Sequence, residues 1–129
     1  MNAPFVYITT HRVAPGREEE LDGLVAEYTE FVHMHEEGLL SHHSYLGAEG
    51  TELTLMQTHR DAESAERHLQ LASPLIHRGL EMTRTVRIQV YGEPGPAVGR
   101  ALAANAEAGA EIIVAPSAGP GFVREGVGT

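Results

Sequence analysis

Strand and helix patterns alternate along the first 91 residues in an order that few folds accommodate. β-Branched and aromatic residues at 5–13 predict a first strand, and apolar residues recur at helical spacing from Arg17 to about Glu37. Two further strands at 39–46 and 52–59, a second helix and a last strand complete the pattern. This βαββαβ order predicts an α+β, ferredoxin-like fold in which both helices cover one face of an antiparallel sheet.

The second helix is expected to begin after Asp61, whose short acidic side chain is a favoured N-cap. Pro74 predicts a break, because proline inside a helix removes a hydrogen bond and clashes with the preceding turn. We expect the helix to resume over residues 75–82 and to lead into the last strand at 84–91.

The sheet face opposite the helices is expected to be of mixed polarity. In the third strand Thr54, Met56 and Thr58 alternate with the more buried positions. A second copy of the chain could cover such a face through a partly polar interface, so the sequence predicts a homodimer.

Composition changes after Tyr91 towards glycine, alanine and proline, which divides the chain into a domain at residues 1–92 and an extension at 93–129. Residues 97–108 predict a short helix and residues 111–115 a short strand. The extension has too little apolar surface to fold alone. We expect it to dock on its own domain or on the partner subunit, with residues 119–124 as the anchoring end; the alternative is disorder beyond Gly95.

Charge and composition exclude several classes of protein. The net charge of −9 would repel a phosphate backbone, so nucleic acid is not an expected partner. No apolar run approaches the ~20 residues that span a bilayer, and the first residues lack the pattern of a signal peptide, so we expect a cytoplasmic protein with no membrane partner. The absence of cysteine excludes disulfides, thiolate metal sites and cysteine nucleophiles. No nucleotide-binding, hydrolase-elbow or zincin motif occurs.

The eight histidines invite a metal hypothesis that their spacing does not support. His33 and His35 lie two positions apart on a helix and point in different directions. His33 is better spaced from Glu36 or Glu37, but that helix end is expected to be solvated. We therefore predict no bound metal, and without a nucleotide-binding motif a nucleotide cofactor is not expected either.

Four other histidines are expected to be peripheral or divided between two faces. His42 and its neighbour His43 alternate across a strand, so at most one of them can face a cavity. His11 is expected to be exposed at a strand end, and His77 to lie on the outer face of its helix.

His59 and His68 stand apart from the other histidines. His59 ends the third strand and His68 lies nine positions on, within the second helix, so both are expected to face one cleft between sheet and helix. Imidazole is the side chain best suited to proton transfer near neutral pH. We expect replacement of His68 to affect function more than folding, at a cost of ~1 kcal/mol for a lost hydrogen bond. The alternative is a half-buried structural histidine.

These residues carry a resemblance to the antibiotic biosynthesis monooxygenase superfamily. In its members the third strand ends in an acid, any residue and a tryptophan, followed nine or ten positions on by a helical histidine and then by Ser-Pro. Residues 57–59, His68 and the pair Ser73 and Pro74 occupy those places here. The resemblance covers roughly residues 5–91 and implies a dimeric α+β barrel. His59 takes the place of the tryptophan, which argues against haem degradation.

The resemblance implies a small cofactor-independent monooxygenase that acts on an aromatic, quinol or polyketide-like substrate. Such an enzyme deprotonates its substrate and shields the anion while oxygen reacts, so it requires a base, a polar positioning group and an apolar cavity. The alternative is a non-catalytic, dimeric ligand-binding or stress-associated domain with structural histidines. The candidate bases are His68 and His59, and the candidate substrate-binding residues are Thr9, Gln57, Tyr7, Tyr28, Phe31 and Leu55.

Overall fold

A computed structural model describes residues 3–124 of the chain. Residues 1–2 and 125–129, which include the end of the predicted extension, lie outside the described part. The elements are β1 (Phe5–Val13), α1 (Glu18–His35), β2 (Leu39–Leu46), β3 (Glu52–His59), α2 (Ala62–Leu71), α3 (Ser73–Leu80), β4 (Thr83–Tyr91), α4 (Pro96–Glu107) and β5 (Glu111–Ala115).

The five strands form one mixed sheet in the order β2-β3-β1-β4-β5. The first four strands pair antiparallel, whereas β5 pairs parallel with β4 after the α4 crossover. The helices supply one wall of a cavity whose other wall is the sheet. This architecture confirms the predicted ferredoxin-like α+β fold with an added helix and strand.

The first helix forms because its acidic and apolar residues are placed as a helix requires. Three glutamates occupy its first turn, where the helix dipole favours negative charge. Its buried positions are spaced three or four apart and face the sheet: Leu21, Leu24, Tyr28 and Val32. Although α1 is the longest helix described, no helix within residues 3–124 has both the length and the apolar character needed to cross a membrane.

The second helical region begins as predicted, with an Asp61 side-chain oxygen accepting a hydrogen bond from the Ser64 backbone N–H at 2.9 Å. Its break lies earlier than predicted. α2 ends at Leu71 and α3 begins at Ser73, so Pro74 lies in the first turn of α3 instead of before it. Proline is tolerated there, because the N–H groups of a first helical turn have no partner within the helix.

The extension contacts the domain through both of its elements. The Glu66 carboxylate on α2 accepts hydrogen bonds of 2.8 Å from the backbone N–H groups of Ala97 and Val98, and so caps the start of α4. Val98 is fully buried in a cluster with Phe5 and other residues of the sheet. Phe122, within the expected anchoring end at residues 119–124, is 83% exposed in the single chain, so anchoring of this end on a partner subunit stays a prediction.

The sheet face away from the helices is uncovered in a single chain. On β3 the alternating side chains of Leu53, Gln57 and His59 are buried, whereas Met56 is 40% exposed. Tyr45 on the neighbouring strand β2 is also exposed. One face of the sheet therefore forms the core and the cavity, and the other presents mixed polar and apolar side chains to solvent.

Candidate active site

A cavity of about 240 Å³ lies between the sheet and the helices. It exceeds the ~150 Å³ of an apolar cavity that admits benzene, so a fused-ring ligand is of suitable size. Its wall is mainly apolar, and leucine, valine and isoleucine side chains are the largest group in it. Six of the predicted site residues line it: Tyr7, Thr9, Tyr28, Leu55, Gln57 and His68. The other two, His59 and Phe31, are not among the lining residues.

His68 lies at one end of this cavity and is held by a carboxylate. Its Nδ1 is 2.7 Å from Oε1 of Glu36, and the two residues are only 1% and 4% exposed. A carboxylate can only accept at this contact, so Nδ1 carries the hydrogen and Nε2 is left as the other functional atom of the ring. The pair resembles the carboxylate and imidazole of a hydrolase triad in that the acid fixes the tautomer and orientation of the base.

Tyr28 connects His68 to the cavity. Its hydroxyl oxygen lies 2.6 Å from Nε2 of His68 and accepts a hydrogen bond from the Gln57 side-chain amide at 3.0 Å. Because Nδ1 already carries the hydrogen of His68, the Tyr28 hydroxyl donates to Nε2. One lone pair of the Tyr28 oxygen then remains for a ligand.

His59 forms a second layer behind Gln57. Its Nε2 is 3.3 Å from Oε1 of Gln57, and its Nδ1 is 2.8 Å from the hydroxyl of Ser64. A Cβ added at Gly38 would lie 2.7 Å from that hydroxyl oxygen, so glycine is required for the start of β2 to pass this close to α2. The buried His59 side chain thus orients Gln57 from outside the cavity.

The hydrogen bonds of this network run in one direction. Ser64 donates to His59, His59 donates to Gln57, and Gln57 donates to Tyr28. Tyr28 then donates to His68, which donates to Glu36. The hydrogen bonds in such a chain polarise one another. This chain ends on the buried Glu36 carboxylate, which draws protons away from the cavity.

Burial controls the protonation of the groups around His68. Desolvation, with a smaller contribution from nearby His68, lowers the pKa of His59 to about 3. In the same way burial and neighbouring histidines lower the pKa of His42 to about 4. Burial raises the pKa of Tyr28 well above its usual value, so its hydroxyl stays protonated at rest. His59 and His42 are therefore neutral near pH 7, as the directions of their hydrogen bonds require.

Three residues of the network were not predicted from the sequence as site residues: Ser64, Glu36 and His42. Glu36 was expected to be solvated, but it is the C-cap of α1 and is buried against α2. An acid at the C-terminal end of a helix is disfavoured by the helix dipole, and that misplacement was the available signal. His42 was left undecided, and its Nδ1 contacts the Gln57 amide at 3.3 Å.

Two other histidines lie closer to the cavity than expected. His11 was expected to be exposed, but it is half-buried and lines the cavity. His77 is exposed, yet its side chain also borders the cavity.

Within residues 3–124, no three histidine, aspartate or glutamate side chains are grouped in a way that could hold a metal ion. In the same range two buried side-chain atoms lack a hydrogen-bond partner, Oε2 of Glu36 and Nε2 of His42. Both belong to residues of the network. Protein groups alone therefore do not satisfy every hydrogen-bonding atom of the network.

The fold is shared with several solved structures, none of them close in sequence. MupZ from Pseudomonas fluorescens is 18% identical, with a TM-score of 0.74 over 100% of this chain and 95% of that chain. Rv0793 from Mycobacterium tuberculosis is 19% identical, with a TM-score of 0.62 over 74% and 99%. A variant of SnoaB, a cofactor-independent oxygenase from Streptomyces nogalater, is 11% identical, with a TM-score of 0.62 over 74% and 97%. These likenesses establish a common fold.

Family membership rests on the sequence. No curated protein matches the chain. The family model for antibiotic biosynthesis monooxygenase matches residues 4–74, which is more than half of the chain and includes every residue of the network around His68. The match confirms the resemblance found in the third strand and second helix, and the chain belongs to the antibiotic biosynthesis monooxygenase family.

Proposed function

We propose that the protein is a small cofactor-independent oxygenase that acts on an aromatic, quinol or polyketide-like substrate. The observation that carries the proposal is the one-directional hydrogen-bond chain from Gln57 through Tyr28 and His68 to the buried Glu36 carboxylate. A base in this chain would act at the polar end of an apolar cavity of suitable size, which supports the proposal. Family membership and the likeness to SnoaB support the same reaction class.

The proton of the substrate leaves through Tyr28. A substrate hydroxyl, which in an enolisable ketone is the hydroxyl of the enol, donates to the free lone pair of the Tyr28 oxygen while the Tyr28 hydroxyl passes its own proton to Nε2 of His68. Glu36 stabilises the imidazolium that results, because its carboxylate already accepts the Nδ1 hydrogen. Tyr28 ends protonated, which agrees with its raised pKa, since a lasting tyrosinate would be costly in this buried position.

The deprotonated substrate then supplies the electrons. The phenolate or enolate carbanion transfers electrons to molecular oxygen, a C–O bond forms, and the peroxide O–O bond breaks. One oxygen atom ends as a carbonyl in place of the substrate C–H bonds, and the other leaves as water, so no external reductant is required. The apolar wall protects the anion from bulk water, and the amide of Gln57 keeps Tyr28 oriented.

The test is oxygen-dependent turnover of anthrone, an enolisable aromatic ketone whose oxidation to anthraquinone is followed by absorbance and by oxygen consumption. We expect turnover by the wild-type protein above the uncatalysed rate and a loss of about 100-fold in Tyr28→Phe. Tyr45→Phe, which removes a hydroxyl from the exposed face of β2, is the matched control. Equal rates with wild type and Tyr28→Phe would contradict the proposal.

A second candidate is proton transfer without oxygen, such as isomerisation or ring closure of the same class of substrate. The hydrogen-bond chain supports this candidate, because the chain contains a base, His68, and no group that acts on oxygen. Deuterium exchange into anthrone without oxygen, with no oxidation when oxygen is admitted, would select this candidate. Binding without exchange or oxidation would instead select the non-catalytic ligand-binding domain.

A further inference from the structure

Another polar group lies in the same cavity, away from His68. His11 on β1 contacts two threonines: its Nε2 is 2.9 Å from the Thr9 hydroxyl and its Nδ1 is 3.0 Å from the Thr85 hydroxyl on β4. All three residues line the cavity. The network that ends on Glu36 does not include them.

We propose that Thr9, His11 and Thr85 form a second substrate subsite, which binds an uncharged oxygen acceptor such as a ketone. The preferred substrate would then be a fused-ring compound with an ionisable hydroxyl at one end and a carbonyl at the other. This inference rests on the proposed function for the class of ligand. It adds the position and chemistry of a second substrate group.

The donor count of the cluster supports this assignment. Burial lowers the pKa of His11 to about 4, so the ring is neutral at pH 7 and has one donor and one acceptor nitrogen. One threonine hydroxyl must accept from the ring N–H, and the other must donate to the bare nitrogen. The accepting threonine keeps its own hydroxyl hydrogen, which no other contact described for Thr9 or Thr85 engages. The cluster therefore offers one O–H donor to an occupant of the cavity.

The subsite extends along β1 away from the network around His68. Tyr7, which pairs with Gln57, and His11, which pairs with Leu53, lie four residues apart on β1. At the rise of a β-strand this is about 13 Å. Thr9, the nearest member of the subsite, lies midway and pairs with Leu55, and Leu24 and Ile88 belong to the nearby apolar wall. A rigid apolar ring system with an oxygen at each end matches this distribution better than a compact polar metabolite.

The position of the carbonyl has a chemical advantage. A ketone conjugated through the ring to the ionisable hydroxyl takes up part of the negative charge after deprotonation. A hydrogen-bond donor at that ketone would therefore bind the anion more tightly than the neutral substrate. Because the cluster is neutral, it does not favour a ligand that is already anionic at that end.

The experiment measures how much the ketone adds to affinity. The first probe is a hydroxytetralone, a two-ring ketone whose phenol hydroxyl and carbonyl lie on opposite edges and are conjugated through the aromatic ring. The second probe is the same phenol with the carbonyl replaced by a methylene group. Titration calorimetry gives a dissociation constant for each, and their ratio isolates the ketone. We expect the wild-type protein to bind the hydroxytetralone about fivefold to tenfold more tightly, as one hydrogen bond requires. Thr9→Val combined with Thr85→Val should bring the ratio close to one.

Thr54→Val is the matched control, because it removes a hydroxyl from the other face of the same sheet and should leave the ratio unchanged. Glu36→Gln should reduce turnover of anthrone without changing the ratio, which separates the two proposals. A ratio that the double variant leaves at its wild-type value would overturn the subsite while the proposed oxygenase stands. Failure of wild-type protein to bind either probe would overturn the subsite and the ligand class together.

Discussion

Glu36 and His68 form a buried hydrogen-bonded pair although 32 residues separate them in the sequence. Glu36 ends α1 and His68 lies in α2, so their 2.7 Å contact fixes the C-terminal end of the first helix against the second. The second oxygen of that carboxylate, Oε2, has no hydrogen-bond partner in the described chain. The pair therefore concentrates its negative charge on one imidazole.

Glu36→Gln is expected to lower turnover far more than stability. The amide oxygen still accepts the Nδ1 hydrogen of His68, but it no longer stabilises an imidazolium, so the rate with anthrone should fall by about 100-fold to 1,000-fold. Exposed Glu37→Gln, one position along, is the control and should leave the rate unchanged. Steady-state kinetics and thermal unfolding of both variants check this, and a full rate in Glu36→Gln would remove the carboxylate from the mechanism.

The same pair revises the expected cost of replacing His68. From the sequence we expected His68→Ala to cost ~1 kcal/mol. In the structure that substitution leaves the Glu36 carboxylate buried without its partner, a situation that typically costs about 3–5 kcal/mol. We therefore regard Glu36→Gln and Tyr28→Phe as the cleaner functional variants, because each retains a hydrogen-bonding group or a ring in place.

Acid is expected to destabilise the fold through His59. Its pKa is about 3 in the folded chain and about 6.5 when unfolded, so below about pH 6.5 the unfolded state binds the proton first. The stability that neutral His59 contributes is complete above the unfolded pKa and is lost as the pH falls towards about 3. The steepest loss per histidine is ~1.4 kcal/mol per pH unit. Urea unfolding across this range should show the decline, and His59→Gln should reduce its slope; a stability independent of pH would contradict the burial of neutral His59.

The protein is expected to form a homodimer through the open face of the sheet. Light scattering should give about twice 13.9 kDa. Met56→Lys places a charge at the centre of that face and should shift the protein towards monomer. Met34→Lys is the control, since Met34 is 69% exposed on α1, away from the open face. A monomer at micromolar concentration for the wild-type protein would refute the prediction.

Tight, stoichiometric metal binding is not expected. A zinc or iron site would have to be assembled from His59, His68 and Glu36. Their polar atoms are already engaged with Ser64, Gln57, Tyr28 and one another, apart from the free oxygen of Glu36. Elemental analysis of protein purified without a histidine tag tests this prediction. One metal ion per chain that disappears in His68→Gln would instead make this network a metal centre.

The sequence was sufficient for the elements and for part of the site. Periodicity located the strands of the sheet to within one residue, because one face of each strand is buried and the alternation is regular. It also selected His68, Gln57 and Tyr28, which lie in regular elements. It did not find Glu36, because the partner of a buried acid at a helix end is set by how two helices pack. His11 was missed for a similar reason. Its partner Thr9 lies on the same strand, but its partner Thr85 lies on β4, and only the register of the sheet brings Thr85 next to His11.

The extension beyond the family match has a consequence for how this cavity can change. The residues proposed to move a proton all lie within positions 4–74, whereas other lining residues lie beyond that match, among them Leu75, Leu80, Ile88, Ala101 and Asn105. The capping of α4 by Glu66 attaches the later part of this wall to the helix that carries His68. Substitutions in α3, β4 and α4 can therefore change which molecules fit, while the acid, imidazole and phenol keep their positions. Part of the selectivity is thus encoded outside the stretch that carries the acid, imidazole and phenol, and that part can be altered without replacing them.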